Sequence, residues 1–244
     1  MIQIKNLYKS FDGKRLYDGL NLTIPEKKIT VILGKSGVGK SVLLKHILGL
    51  QLPGEGNIII EGTDITRLSP KDTRRFRLKF GMVFQSSALL DSLTVEENVG
   101  LGLQKLTQLS DEEIHERVLE CLQHVDLEDS ANLLPEKLSG GMQKRVAFAR
   151  AITMQPEYLL YDEPTTGLDP VTGDIIVNLI LRFNQEFETT SVVVTHDMAA
   201  TMKVADQIAL LDSGKIQAVL TPEEFRKGVH PLAEEFLSGA ALNG

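Results

Sequence analysis

The chain has 244 residues, a formal charge of -7, 42% hydrophobic and 24% charged residues, the balance of a soluble globular protein with a sizeable core. Its acidic surplus argues against a nucleic-acid partner, which leaves a basic footprint. One cysteine, Cys121, excludes an internal disulfide framework and fits a reducing compartment. No secretory leader is visible, and no apolar run approaches the ~18 residues of a membrane span.

Residues 1–24 read as two strands around the turn Asp12-Gly13, closed by Pro25. Phe11, beside that turn, is either a core aromatic or a stacking surface for a base. The apolar run Ile29–Leu33 leads into GKSGVGKS, residues 34–41, and then into the helical VLLKHILGL. This is a G-x-x-x-x-G-K-[ST] phosphate loop with a strand before it and a helix after it. Gly34, Lys35, Ser36, Gly37, Val38, Gly39 and Val42 supply the loop backbone and its exit. Lys40 is expected to reach the β- and γ-phosphates and Ser41 to ligate Mg2+.

Pro53-Gly54 turns the chain, residues 57–61 read as a strand, and Ser69-Pro70 opens a basic helix whose RRFRLK run is a solvated face. Residues 80–84 form a strand ending at Gln85, which either faces Mg2+ and an attacking water or caps the strand. Residues 86–155 then read as a helical insert. Two of its helices open with capping boxes, Thr94 with Glu97 and Ser110 with Glu113. Cys121 falls on an apolar face with Ile114, Val118, Leu122 and Val125, as a core residue.

LSGGMQKR, residues 138–145, closes the insert. Ser139 is placed to cap a helix behind Gly140 and Gly141, with Lys144, Arg145 and Arg150 off its apolar face. A bare helix N-terminus is a second phosphate cradle, and one nucleotide does not need two in one subunit. The second cradle is therefore expected to serve the nucleotide of a partner copy.

Residues 156–164 read PEYLLYDEP: a buried strand that delivers Asp162 and Glu163 to its end. Paired carboxylates there are costly unless a cation meets them. Asp162 is expected to hold Mg2+ through water, and Glu163 to polarise the water that attacks the γ-phosphate. TTGLDP precedes a long helix ending near Glu188. The strand 191–195 then presents His196, a candidate γ-phosphate contact, since open α/β sheets bind ligands at the carboxyl ends of their strands. His46, His115, His124 and His230 lack that placement and are expected at the surface. Residues 207–220 form a hairpin. Thr221, Pro222 and Glu224 start a helix, and the tail adds a short helix with Leu232, Phe236 and Leu237 spaced for packing.

The order of phosphate loop, Gln85, LSGGM, YDEP, GLD and His196 resembles the nucleotide-binding subunit of ATP-binding-cassette transporters over nearly the whole length. The resemblance implies an α/β P-loop NTPase: a RecA-like mixed-sheet core with an N-terminal antiparallel β subdomain and a helical insert. Within one nucleotide-binding domain, 1–244, residues 1–85 and 156–221 form the core, 86–155 the helical subdomain and 222–244 a helical tail. It implies ATP and Mg2+ as cofactors, a head-to-tail homodimer, integral membrane permease partners, and a peripheral place at the cytoplasmic face of the inner membrane.

Residue by residue, Phe11 matches the adenine-stacking aromatic, usually tyrosine, and Gln85 the Q-loop glutamine and a metal ligand. Ser139, Gly140 and Gly141 match the signature loop, and Asp169 the D-loop aspartate. Glu163 and His196 match the catalytic glutamate and switch histidine, with Lys40 the phosphate-loop lysine. Met142 stands where most importers have glutamine. With FQSSALLDSLTVEENV, YDEPTTGLDP and THDM, it is similar to the ATPase of Mla-type lipid transporters, which work with MCE proteins. ATPases of amino-acid or metal importers and of iron–sulfur assembly are the competing classes. A small nucleotide kinase leaves residues 138–145 and His196 unexplained.

Overall fold

The structure, a computed structural model, describes residues 1–239; the end of the expected tail, 240–244, lies outside them. Strands β1 (Ile2–Phe11) and β2 (Lys14–Ile24) pair antiparallel, opposing Ile2 to Ile24 and Ile4 to Leu22. Alternation along both strands turns these apolar side chains to one face. β1 pairs on its other side with β4 (Glu55–Ile60), and β4 with the short β5 (Thr63–Asp64), in the order β2-β1-β4-β5.

A second sheet has the order β10-β9-β3-β8-β7-β6. Its strands are β3 (Ile29–Leu33), β6 (Phe80–Val83), β7 (Tyr158–Asp162), β8 (Thr190–Thr195), β9 (Gln207–Asp212) and β10 (Lys215–Leu220). All neighbours run parallel except the β9–β10 hairpin. β3, β7 and β8 are buried at every residue, as strands covered on both faces must be, hence their unbroken apolar runs.

Helix α1 (Lys40–Ile47) packs between the two sheets: its Leu43, Leu44 and Ile47 share one core with Ile2, Ile24, Ile58, Ile32 and Leu160. The opposite face is covered by the segment between β6 and β7, with α3 (Val95–Leu106), α4 (Asp111–Gln123) and α5 (Gly140–Ile152), and by α6 (Pro170–Glu186). Both expected capping boxes form on α3 and α4. Cys121 is 1% exposed, and burial pushes its thiol up to about 11. α2 (Pro70–Arg77) is capped by Ser69 and buries none of its residues. Beyond β8 come α7 (Met198–Val204), α8 (Pro222–Arg226), with its own capping box, and α9 (Pro231–Leu237). Phe236 is buried and Leu237 exposed.

His46 departs from expectation. It is 1% exposed because it lies on the side of α1 turned to the antiparallel sheet, where its ring meets Tyr17 edge-on and Nδ1 lies 2.7 Å from the Gln51 carbonyl, while the adjacent Lys45 is exposed. β6 ends at Val83, one residue earlier than read.

Candidate nucleotide and catalytic site

Four strands of the parallel sheet end at one edge. β3 runs into the loop 34–41, β6 into Gln85, β7 into Asp162 and Glu163, and β8 into His196. Adjacent parallel strands fix these ends within reach of one another. Lys40, 5% exposed, folds back over its own loop: Nζ donates to the carbonyls of Gly34 at 2.8 Å and Lys35 at 3.0 Å, and lies 3.1 Å from Glu163 Oε1. Ser41 Oγ donates to Asp162 Oδ1 at 2.6 Å. His196 Nδ1 is 2.9 Å from Glu163 Oε2, close but out of hydrogen-bond alignment. The hydroxyls of Thr166 and Thr195 each donate to the same oxygen at 3.3 Å.

The two neighbouring carboxyls are tuned apart. Burial raises the pKa of Asp162 above the usual carboxylate range, against the Ser41 hydrogen bond that lowers it. Burial also acts on Glu163, but His196 and the Lys40 ammonium outweigh it and hold that carboxyl below its ordinary value. Glu163 is therefore held as an anion, with one acceptor oxygen beside the Lys40 ammonium and the other beside the His196 ring, the state a proton acceptor needs.

A cleft of about 520 Å3 opens over this edge. Ser36, Gly37, Gly39, Lys40, Ser41, Val42, Gln85, Glu163 and His196 line it, with Phe11 and Leu16 at the hairpin side. Phe11 is 42% exposed there, with Lys9 Nζ 5.2 Å from its ring centre, which removes the core reading. Val38 instead turns into the core between the sheets, and Gly34 is buried beneath the loop. For Mg2+, the Ser41 hydroxyl and Asp162 carboxylate are hard oxygen donors already in contact, with Gln85 on the same wall. Among the described residues no group of three or more His, Cys, Asp or Glu could hold a metal. A hydroxyl and a carboxylate side by side fit a hard ion that takes its remaining ligands from phosphate and water, the usual habit of Mg2+.

Ser139, Gly140, Gly141 and Asp169 do not line this cleft. Ser139 is the N-cap of α5, accepting from the Met142 amide at 3.3 Å, and it and Gly140 are exposed. A Cβ on Gly140 would meet nothing within 4 Å, whereas one on Gly141 would lie 2.5 Å from Thr172 Cγ2. A side chain at Gly141 would force the Thr172 side chain of α6 to shift, while Gly140 leaves open space above a helix N-terminus. Asp169 caps α6, accepting from the amides of Val171 and Thr172 at 3.0 Å each. Met142 packs partly into the core.

Some of the site escaped the sequence reading. The cations of α5 are not a solvated face: Lys144 donates to the carbonyls of Phe84 and Gln85, and Arg145 to those of Val125 and Asp126. Arg150 donates to Ser87 and Ala88, both in left-handed backbone. Lys144 is 5% exposed, and burial lowers its pKa. Leu16, Thr166 and Thr195 carry no local signal of their own beyond adjacency to a motif.

The family model described as ABC transporter matches residues 17–166. The intermembrane phospholipid transport system ATP-binding protein MlaF of Haemophilus influenzae is 38% identical over 239 residues, 98% of this chain and 90% of that protein. The methionine import ATP-binding protein MetN of Carboxydothermus hydrogenoformans is 42% identical over 243 residues, 98% of this chain and 72% of that one. A solved dimeric post-hydrolysis state of the ATP-binding cassette MJ0796, bound to ADP and Pi, superposes with a TM-score of 0.84 at 36% identity, over 91% of this chain and 99% of that one. A strand-edge cleft lined by a glycine-rich loop with a buried lysine and by an ionised glutamate fits that kinship: the chain belongs to the ABC transporter family and is an ATPase.

Proposed function

We propose that this chain powers phospholipid movement through a membrane permease as a head-to-tail homodimer, each ATP lying between residues 34–41 of one copy and the Ser139–Gly140–Gly141 turn of the other. The observation that carries the dimer is the separation of the two cradles. Ser139 and Gly140 are exposed, with open space over Gly140, and neither reaches the cleft of its own chain.

Phe11 stacks the adenine in this reading, and the amides of residues 34–41 hold the phosphates as opposite charge gathers at the α1 N-terminus. The incoming γ-phosphate draws Lys40 Nζ away from Glu163 Oε1. That oxygen then accepts a proton from the attacking water, while the water oxygen bonds phosphorus and ADP leaves. His196 stays beside Glu163 Oε2 and meets the γ-phosphate, and Gln85 orients the water. Mg2+, held by Ser41 and Asp162, would neutralise β- and γ-phosphate charge. Asp169 contacts the partner copy across the dimer.

Phospholipid as cargo and an MCE-type protein as companion rest on the MlaF relatives of two organisms and on the LSGGM and FQSSALLDSLTVEENV stretches. The MetN relative favours a second reading, methionine import. Among the described residues no helix is long and apolar enough to cross a membrane, so the permease would hold the protein at the cytoplasmic face of the inner membrane. Purifying tagged protein from membranes tests this: a permease with an MCE protein is expected, and an amino-acid permease would overturn the lipid reading.

A further inference from the structure

Tyr17, which takes no part in the proposed chemistry, lies on β2 next to Leu16. Successive strand residues face opposite ways. Leu16 lines the cleft near Phe11, while Tyr17 is 0% exposed, and its hydroxyl donates to the Gly39 carbonyl at 2.6 Å. That carbonyl also takes the opening amide bond of α1, from Leu43 at 3.0 Å. Gly39 is the N-cap of α1 with φ 105°, and no side chain caps the helix there. A Cβ on Gly39 would stand 3.0 Å from both the ring and the hydroxyl of Tyr17. Phenol and loop therefore touch directly. From the other side His46 of α1 meets the Tyr17 ring edge-on at 5.9 Å.

We infer that Tyr17 is a positioning residue for the phosphate loop, its hydroxyl tethering the left-handed turn at Gly39 from the antiparallel sheet. The tether orients the amides before Lys40 and the direction in which the Lys40 stem leaves the backbone. Through Leu16, the same strand forms part of the wall at the Phe11 end of the cleft, so one strand fixes the spacing between base wall and phosphate cradle. This rests on the reading of residues 34–41 as the phosphate cradle.

Tyr17→Phe keeps the buried ring and removes only the tether. Loss of one neutral hydrogen bond corresponds to about two- to tenfold in affinity. Titration of wild type and Tyr17→Phe with ATP and Mg2+ is expected to show Kd raised by that factor, with ATPase KM raised equally and kcat at saturation retained. That split marks an interaction made alike in ground and transition states. A nucleotide-free thermal melt confirms that the variant is folded. Kd and KM equal to wild type, whatever the melt shows, would overturn the inference, as would a fall in kcat with KM unchanged. A wild-type protein that bound no ATP would sink the cradle reading instead.

Discussion

Glu163 sits in left-handed backbone, φ 46°, at the end of β7. That conformation costs a non-glycine residue about 1–3 kcal/mol, and here it aims one carboxylate oxygen at Lys40 and the other at His196. Glu163→Gln keeps the shape and removes the proposed proton acceptor. Turnover is expected to fall by about 10²–10⁴-fold with ATP still bound, read by phosphate release and equilibrium titration; turnover at the wild-type rate would exclude Glu163 as base. Away from the cleft, Glu61 accepts from Lys79 at 2.6 Å and from the Tyr158 hydroxyl at 2.7 Å. The Lys79 hydrogen bond, helped by Tyr158, holds its carboxyl at about 2, below an ordinary 4.5. A depressed carboxyl contributes stability above its unfolded pKa and loses it as pH falls through the folded value. The deficit of Glu61→Gln in urea melts is therefore expected in full at neutral pH, shrinking below about 4.5 and gone below about 2. The Asp162-Glu163 pair was legible because an unbroken apolar strand is an improbable place to leave two charges. Lys144 was not: a long side chain on a helix reads as solvated until the fold shows which carbonyls it reaches.

At the scale of elements, α5 joins two loops that sequence treats separately. Its N-terminus carries Ser139 and Gly140. Further along, Lys144 and Arg150 hold the carbonyls of residues 84, 85, 87 and 88. Ser87 and Ala88 have φ 59° and 49°, so the turn after Gln85 is one that unaided backbone disfavours. Arg150→Ala is expected to destabilise the protein by about 2–4 kcal/mol in urea unfolding, since hydrogen bonds to a charged donor contribute about 1.5–3 kcal/mol each and are not additive. A change below about 0.5 kcal/mol, the size of an ordinary surface substitution, would contradict the clamp. The helices themselves were readable from their caps: Thr94, Ser110 and Thr221 all form the expected boxes. The burial of His46 was hidden, because it stands next to the exposed Lys45 on α1, and only the packing against Tyr17 shows which of the two polar side chains turns inward.

For the whole molecule, the sheet order β10-β9-β3-β8-β7-β6 brings Lys40, Gln85, Glu163 and His196 to one edge although they are far apart in the chain. Strand pairing made that convergence, and single-sequence patterns do not specify pairing; only the motif order pointed to it. The same topology leaves Ser139 and Gly140 outside the cleft lining, as the proposal of a pocket completed between two copies requires. Sedimentation of Glu163→Gln with saturating ATP and Mg2+, alone and combined with Ser139→Arg, tests this most directly. A dimer is expected for Glu163→Gln, and a monomer with unchanged ATP affinity once Ser139→Arg is added. An ATP-bound Glu163→Gln protein that stays monomeric, or a Ser139→Arg monomer that no longer binds ATP, would contradict the shared pocket.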